Sequence, residues 1–153
     1  MQTNELTKGM SRVFVYGSLK EGHSNHHVLR GAKYIGRDMI LGPFEMVSLG
    51  YFPGVLDKGA EADISPIFGE VYEVDREGLA ALDLLEGHPD FYCREKMTTE
   101  NNVRVWMYIL QDNGDLYTRV PEGIWQPSAD EEEYWNTVAT GDEDGSESNE
   151  SAA

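Results

Sequence analysis

The run Ile67-Phe-Gly-Glu-Val-Tyr-Glu-Val74 alternates with the period of two that turns one face of a strand into a core. Asp75 follows at once and suits a helix N-cap. A helical pattern then runs from about Arg76 to Glu86, where Gly87 and Pro89 stop it. A strand that hands directly to a short helix, with strand-like runs on either side, restricts the chain to a mixed architecture. Arg12-Val-Phe-Val-Tyr16 is a β-branched and aromatic run ending at Gly17, and reads as a buried strand. Tyr34–Leu41 and Phe44–Ser48 read as strands broken by Gly42-Pro43. Tyr92–Thr99 and Val103–Leu110 read as a hairpin closed by Glu100-Asn101-Asn102, since Asn tolerates positive φ. Tyr51–Leu56 reads as irregular because Pro53 cannot donate to a central ladder. A short helix is expected from Ser24 or Asn25, stopped by Gly31, and a turn at Asp112–Asp115. About six strands and few helices give an α+β class, or a closed sheet with attached helices.

Charge and cysteine content narrow the function classes. The 153 residues carry 28 acids and 12 bases, a formal net charge of −16. Nine of those acids, and no Lys or Arg, lie from Ala129 to Ala153, which leaves −7 on residues 1–128. A negative chain is repelled by phosphate backbones and anionic lipid, so neither nucleic acid nor membrane is an expected partner. No run approaches the roughly 18 apolar residues of a span, and the polar N-terminus shows no secretory signal. A soluble, cytoplasmic protein is expected. The single cysteine, Cys93, excludes an internal disulfide framework. Three segments are expected: a polar lead-in at 1–11, one domain at 12–138, and a disordered acidic tail at 139–153. The tail is read as solubilising, with an acidic interaction tail as the alternative. Before it, Asp130–Val138 suits a short helix that docks Tyr134, Trp135 and Val138.

Two segments carry chemistry. In Tyr16-Gly17-Ser18-Leu19-Lys20-Glu21-Gly22 a strand runs into Gly-Ser, which exposes consecutive N–H groups able to form an anion-binding nest. Neither GxxxxGK[ST] nor GxGxxG is present. In the second, at about 100° per residue, Glu86 falls between Leu82 and Leu79 on the apolar stripe of the helix, in its last turn, and Asp83 sits at the stripe's edge. A carboxylate so placed is desolvated and near the negative end of the helix dipole. Both effects raise its pKa towards that of a base working near neutrality. The alternative is an acid whose head escapes to solvent at the helix end.

Together the two blocks, Tyr-Gly-Ser-Leu-Lys-x-Gly-x-x-Asn-His and Leu-Asp-x-x-Glu-Gly-x-Pro-x-x-Tyr-x-Arg, resemble the γ-glutamylcyclotransferase-like superfamily. The likeness is closer to its γ-glutamylamine cyclotransferase branch, with the avirulence-induced (AIG2-like) proteins. It runs from about Arg12 to Leu110 and includes Gly50-Tyr51-Phe52-Pro53-Gly54 and Gly69–Asp75. The resemblance implies a small closed β-barrel of about six mostly antiparallel strands flanked by short helices. It implies an intramolecular reaction in which the α-amine of a small γ-glutamyl substrate attacks its own γ-carbonyl, giving 5-oxoproline and a released amine. The γ-glutamyl-ε-lysine isopeptide is one such substrate. It also implies Glu86 as general acid/base, and Tyr16, Gly17, Ser18 and Leu19 as the turn that holds the γ-glutamyl group. No metal, nucleotide or redox cofactor is implied.

Asn25 with His26, Tyr51 and Tyr92 are further pocket candidates. Tyr92 either reaches the site through its hydroxyl or simply packs, and Phe44, Tyr51 and Phe52 either wall a pocket or fill the core. Arg94 is read as the partner of an acid. Cys93 is read as a plain strand thiol, and Trp106 and Trp125 as core or rim aromatics. His23, His26 and His27 have a spacing one helical face can present to a metal, but capping and packing roles are preferred. Two alternatives stay open: a cyclotransferase acting on γ-glutamyl amino acids, and a catalytically silent γ-glutamyl-binding module. Oligomeric state is not read from the sequence.

Overall fold

The computed structural model describes residue 6 and residues 8–17, 29, 31–50, 52–111 and 117–125. Eight strands and one α-helix lie within them: β1 (Ser11–Val15), β2 (Lys33–Gly42), β3 (Phe44–Ser48), β4 (Pro53–Asp57), β5 (Ser65–Val74), α1 (Arg76–Glu86), β6 (Tyr92–Thr98), β7 (Arg104–Leu110) and β8 (Thr118–Arg119). The alternating run is the heart of the larger sheet. β5 pairs antiparallel with β1 on one side and with β2 on the other, and the full order is β2-β5-β1-β7-β6. β1 and β7 are parallel, with Val13 opposite Trp106. β6 and β7 form the expected hairpin, and Asn102 in its turn takes φ 66°. The second sheet has the order β4-β3-β8.

The expected closed barrel of about six strands is not what forms. Among the described residues the two sheets are open. β2 pairs only with β5, β6 only with β7, and no ladder joins the edge strands, whereas a barrel needs every strand paired on both sides. The chain leaves the large sheet at Gly42-Pro43. Pro43 has no N–H to continue a ladder, the Phe44 ring folds back over Gly42 where a Cβ would collide with it, and β3 then pairs with β4 instead. The expected flanking helices reduce to α1 among the described residues. The helices read at Ser24–Leu29 and Asp130–Val138, the Asp112–Asp115 turn and the acidic tail fall outside those residues.

The irregular reading of Tyr51–Leu56 is corrected from Pro53 onward, Tyr51 lying outside the described residues. Residues 53–57 form a strand, with Pro53 as its first residue on the edge of the small sheet, where no donor is required. The two sheets meet closely along β4 and β7. A Cβ on Gly54 would lie 2.6 Å from Leu110 Cδ2, so only glycine lets these backbones approach. The core between them includes Val13, Val15, Tyr16, Val55, Tyr92, Val105 and Met107, all inaccessible to solvent. No helix among the described residues is long and apolar enough to cross a membrane.

α1 follows the sequence rules closely. Its N-cap is Asp75, whose carboxylate accepts the Gly78 N–H at 2.7 Å. It ends at Gly87 in the left-handed region, φ 68°, whose N–H bonds back to the last carbonyls. Leu82 and Glu86, one turn apart, are its buried residues, while Leu84 on the other side is 85% exposed.

Candidate active site

Glu86 is the last residue of α1 and is inaccessible to solvent, the outcome the helical wheel anticipates. No basic residue occupies the last turn of the helix. A carboxylate buried at the negative end of a helix is costly unless its surroundings are polar. Three tyrosines provide much of those surroundings. Tyr16 directly follows β1, Tyr92 opens β6 and Tyr108 lies in β7, and each is at most 1% exposed.

Each tyrosine is held by its hydroxyl. Tyr16 donates to the Tyr108 carbonyl at 2.7 Å, Tyr92 to the Pro53 carbonyl at 2.6 Å, and Tyr108 to Asp83 Oδ1 at 2.7 Å. Burial pushes the pKa of Tyr16 and Tyr92 well above the ordinary value, and the Glu86 charge pushes both further the same way. In Tyr92 the neighbouring Tyr16 and Tyr117 add to the effect. Tyr108 is also raised, first by burial, then by the hydrogen bond and charge of Asp83, and then by Glu86. The Glu86 charge therefore reaches all three hydroxyls. The hydroxyls stay protonated at neutral pH.

Of the expected site residues the structure brings together Glu86, Tyr16 and Tyr92, and Gly17 follows Tyr16 in a buried position. Ser18, Leu19, Asn25 and Tyr51 lie outside the described residues, as do His23, His26 and His27. Of the two roles open to Tyr92, its buried hydroxyl on the Pro53 carbonyl favours packing. Phe44 and Trp125 are buried. Cys93 is half-buried, and its thiol lies 3.9 Å from the Arg94 carbonyl. Arg94 does pair with an acid, Asp83, through Nε at 2.7 Å and Nη2 at 3.0 Å. Partial burial tends to raise the Asp83 pKa, but the hydrogen bonds from Arg94 and Tyr108 and the charges of Arg94 and His88 outweigh it, and the net shift is downward.

Sequence reasoning missed Tyr108 and His88. Tyr108 stood in an otherwise apolar strand run, and the available signal was that a buried tyrosine hydroxyl must find a partner. His88 accepts the Arg94 N–H through Nδ1 at 3.2 Å and meets the Tyr108 ring edge-on. Away from this cluster, a cavity of about 220 Å³ near the start of α1 is lined by Met10, Leu29, Asp75, Gly78 and Leu82 among others. Glu86 does not line it. Among the described residues no group of three His, Cys, Asp or Glu side chains could hold a metal ion.

Comparison with known proteins bears on what such a cluster serves. The family model described as gamma-glutamyl cyclotransferase, AIG2-like, matches residues 13–127. The chain belongs to this family. Among its curated relatives in the gamma-glutamyl cyclotransferase family is the Methanocaldococcus jannaschii protein named "Putative gamma-glutamylcyclotransferase MJ1514", 38% identical over 69% of this chain and 95% of that protein. The gamma-glutamylcyclotransferase family protein YtfP of Escherichia coli is 32% identical over 74% of this chain and 95% of its own length. Among solved structures, the AIG2-like protein of Mus musculus superposes with a TM-score of 0.57 at 26% identity, over 78% of this chain and 97% of that one.

Proposed function

We propose that this chain is a γ-glutamylamine cyclotransferase in which Glu86 is the general acid/base. The observation that carries the reading is the solvent-inaccessible carboxylate of Glu86 at the end of α1, among the protonated hydroxyls of Tyr16, Tyr92 and Tyr108. Membership of the family and the names of its relatives support the same class of chemistry.

The substrate is a small molecule whose γ-glutamyl α-amine is an ammonium at neutral pH and must lose a proton before it can attack. Glu86 takes that proton. The amine nitrogen then bonds to the γ-carbonyl carbon, closing a five-membered ring and placing negative charge on oxygen. Gly17, with Ser18 and Leu19 that follow it in sequence, is the segment assigned to hold the γ-glutamyl group, and its N–H groups are the donors proposed for that oxyanion. As the C–N bond to the leaving group breaks, Glu86 gives its proton to the departing nitrogen, which would otherwise leave as a poor anion. It then takes the second proton from the ring nitrogen and passes it to the amine, which leaves as an ammonium. The products are 5-oxoproline and a free amine. The nucleophile is already tethered to its target, so most of the entropic cost is met once the γ-glutamyl chain is curled.

The test is a panel of γ-glutamyl amines, γ-glutamyl-ε-lysine and γ-glutamyl amino acids assayed for 5-oxoproline. Turnover of the amines, lost in Glu86→Gln, is the expected result. Turnover of the amino acids alone would reassign the leaving group, and undiminished turnover in Glu86→Gln would remove Glu86 from the mechanism.

A further inference from the structure

Two charged residues of the sequence block around Glu86 play no part in the chemistry above. Asp83 stands three residues before Glu86 on the same helical turn, and Arg94 stands in β6. Asp83 accepts three side-chain hydrogen bonds: Arg94 Nε at 2.7 Å and Tyr108 Oη at 2.7 Å on Oδ1, and Arg94 Nη2 at 3.0 Å on Oδ2. The two-pronged Arg94 contact is the geometry in which guanidinium and carboxylate bind with most directional specificity. Arg94 is itself immobilised, with its guanidinium carbon 4.3 Å from the centre of the Trp106 ring and its main-chain N–H on His88 Nδ1.

These bonds lead to the reacting groups by two routes. Along the helix, the Asp83 carbonyl accepts the N–H groups of Gly87 and His88, so the residue that grips β6 and β7 also sets the end of the turn that bears Glu86. Across the sheet, Tyr108 donates its hydroxyl to Asp83 and accepts the Tyr16 hydroxyl on its carbonyl, at 2.7 Å in both cases. Tyr16 in turn leads into the Gly17 turn.

We propose that Asp83, Arg94 and Tyr108 form a clamp that positions Glu86 and the Tyr16 end of the substrate turn relative to one another, with Asp83 and Arg94 acting as positioning residues. The proposal rests on the reading of Glu86 as the base. Asp83 stands one helical turn from Glu86 and is paired with Arg94, so the clamp sets two opposite charges against one another at that end of α1. The Glu86 charge reaches Tyr16 after β1, Tyr92 on β6 and Tyr108 on β7. The charged and titratable groups that meet at the clamp are Asp83 on the same helix, Arg94 on β6, Tyr108 on β7 and His88 in the turn that follows α1.

The clamp makes a prediction that a purely structural ion pair does not. Asp83→Asn leaves Arg94 uncompensated and favours the charged form of Glu86, while Arg94→Gln leaves Asp83 uncompensated and disfavours it. The acidic limb of the kcat/KM pH profile should shift down in the first variant and up in the second, each by roughly half a pH unit. Arg94→Lys keeps the charge and loses the fork, so it should leave the limb in place. All three should lower kcat by about 10- to 100-fold, with KM changed less than about threefold, since small misplacements of a reacting group cost that much. Tyr108→Phe removes one hydroxyl from the clamp and should give the same pattern at the lower end of that range. Each variant is compared at a temperature where its thermal unfolding curve shows it fully folded. If Asp83→Asn does not fold, Arg94→Lys and Tyr108→Phe carry the kcat-against-KM test and Arg94→Gln carries the charge test. Titration of the Glu86 carboxyl carbon by NMR reads the same opposite shifts without any turnover. A wild-type chain inactive on every γ-glutamyl substrate would sink the function proposed above. Folded variants with wild-type kcat, or a Glu86 titration that both charge changes leave unmoved, would sink the clamp.

Discussion

At its first turn α1 is an ordinary surface helix. Asp75 is exposed and caps the Gly78 N–H, and Glu77 sits in solvent where the positive end of the dipole favours it. At its last turn the same helix carries Glu86 with no solvent exposure, at the end where the dipole disfavours an anion and with no basic residue in the turn to offset it. One end has the acid that stabilises a helix and the other has an acid that helix stability alone would not select. A carboxylate kept where the helix end disfavours it, and whose charge reaches the buried hydroxyls of Tyr16, Tyr92 and Tyr108, is what the proposed role of Glu86 requires.

The sharpest way to break this contrast is to make the same substitution at both ends. Glu86→Gln should cut 5-oxoproline formation by about 10²- to 10⁴-fold, the usual worth of a general acid/base, while Glu77→Gln should leave the rate unchanged. Equal effects at the two ends would erase the distinction.

Alkaline titration probes the C-terminal end as a whole. Tyr16, Tyr92 and Tyr108 have pKa values raised above the ordinary 10.0 in the folded chain. Above that pH the unfolded chain releases these protons while the folded chain still holds them, so the stabilisation present below pH 10 is lost as pH rises towards the folded values. Denaturant midpoints measured between pH 8 and 11 should fall steeply beyond 10, and a flat profile would show that the three hydroxyls do not stay buried.

The backbone devices that end the helix should matter less. Gly87→Ala places a Cβ at φ 68° and 3.1 Å from Phe91 Cβ, and should cost about 1–2 kcal/mol by urea unfolding. Because Gly87 follows Glu86 directly, kcat should fall as well. Asp75→Ala should cost about 1 kcal/mol through loss of the cap and leave kcat untouched. A fall in kcat there would mean that the two ends are mechanically coupled.

Much of this helix was legible in the sequence, because caps and periodicity are local. Asp75, the apolar stripe, Gly87 and the inward position of Glu86 all depend on residues within a turn or two of one another. The β6–β7 hairpin was legible for the same reason, with Asn102 adopting the positive φ its side chain tolerates. The Arg94 partnership was anticipated without its acid. Pro53 misled, because whether a proline suits a strand depends on whether that strand lies at an edge, which only the assembled sheet settles.

By itself, then, the amino-acid order determined α1, six of the eight strands among the described residues, the cap residues and the inward acid, since these follow from backbone sterics and side-chain period over short spans. It did not determine β4 or β8. The tertiary structure decided the parallel β1–β7 pairing, the division into two open sheets, and the approach of Tyr16, Tyr92 and Tyr108 to the end of α1. Those contacts join residues far apart in the chain. Each must overcome the entropy of closing a long loop through packing summed over many partners, and no local pattern records that sum.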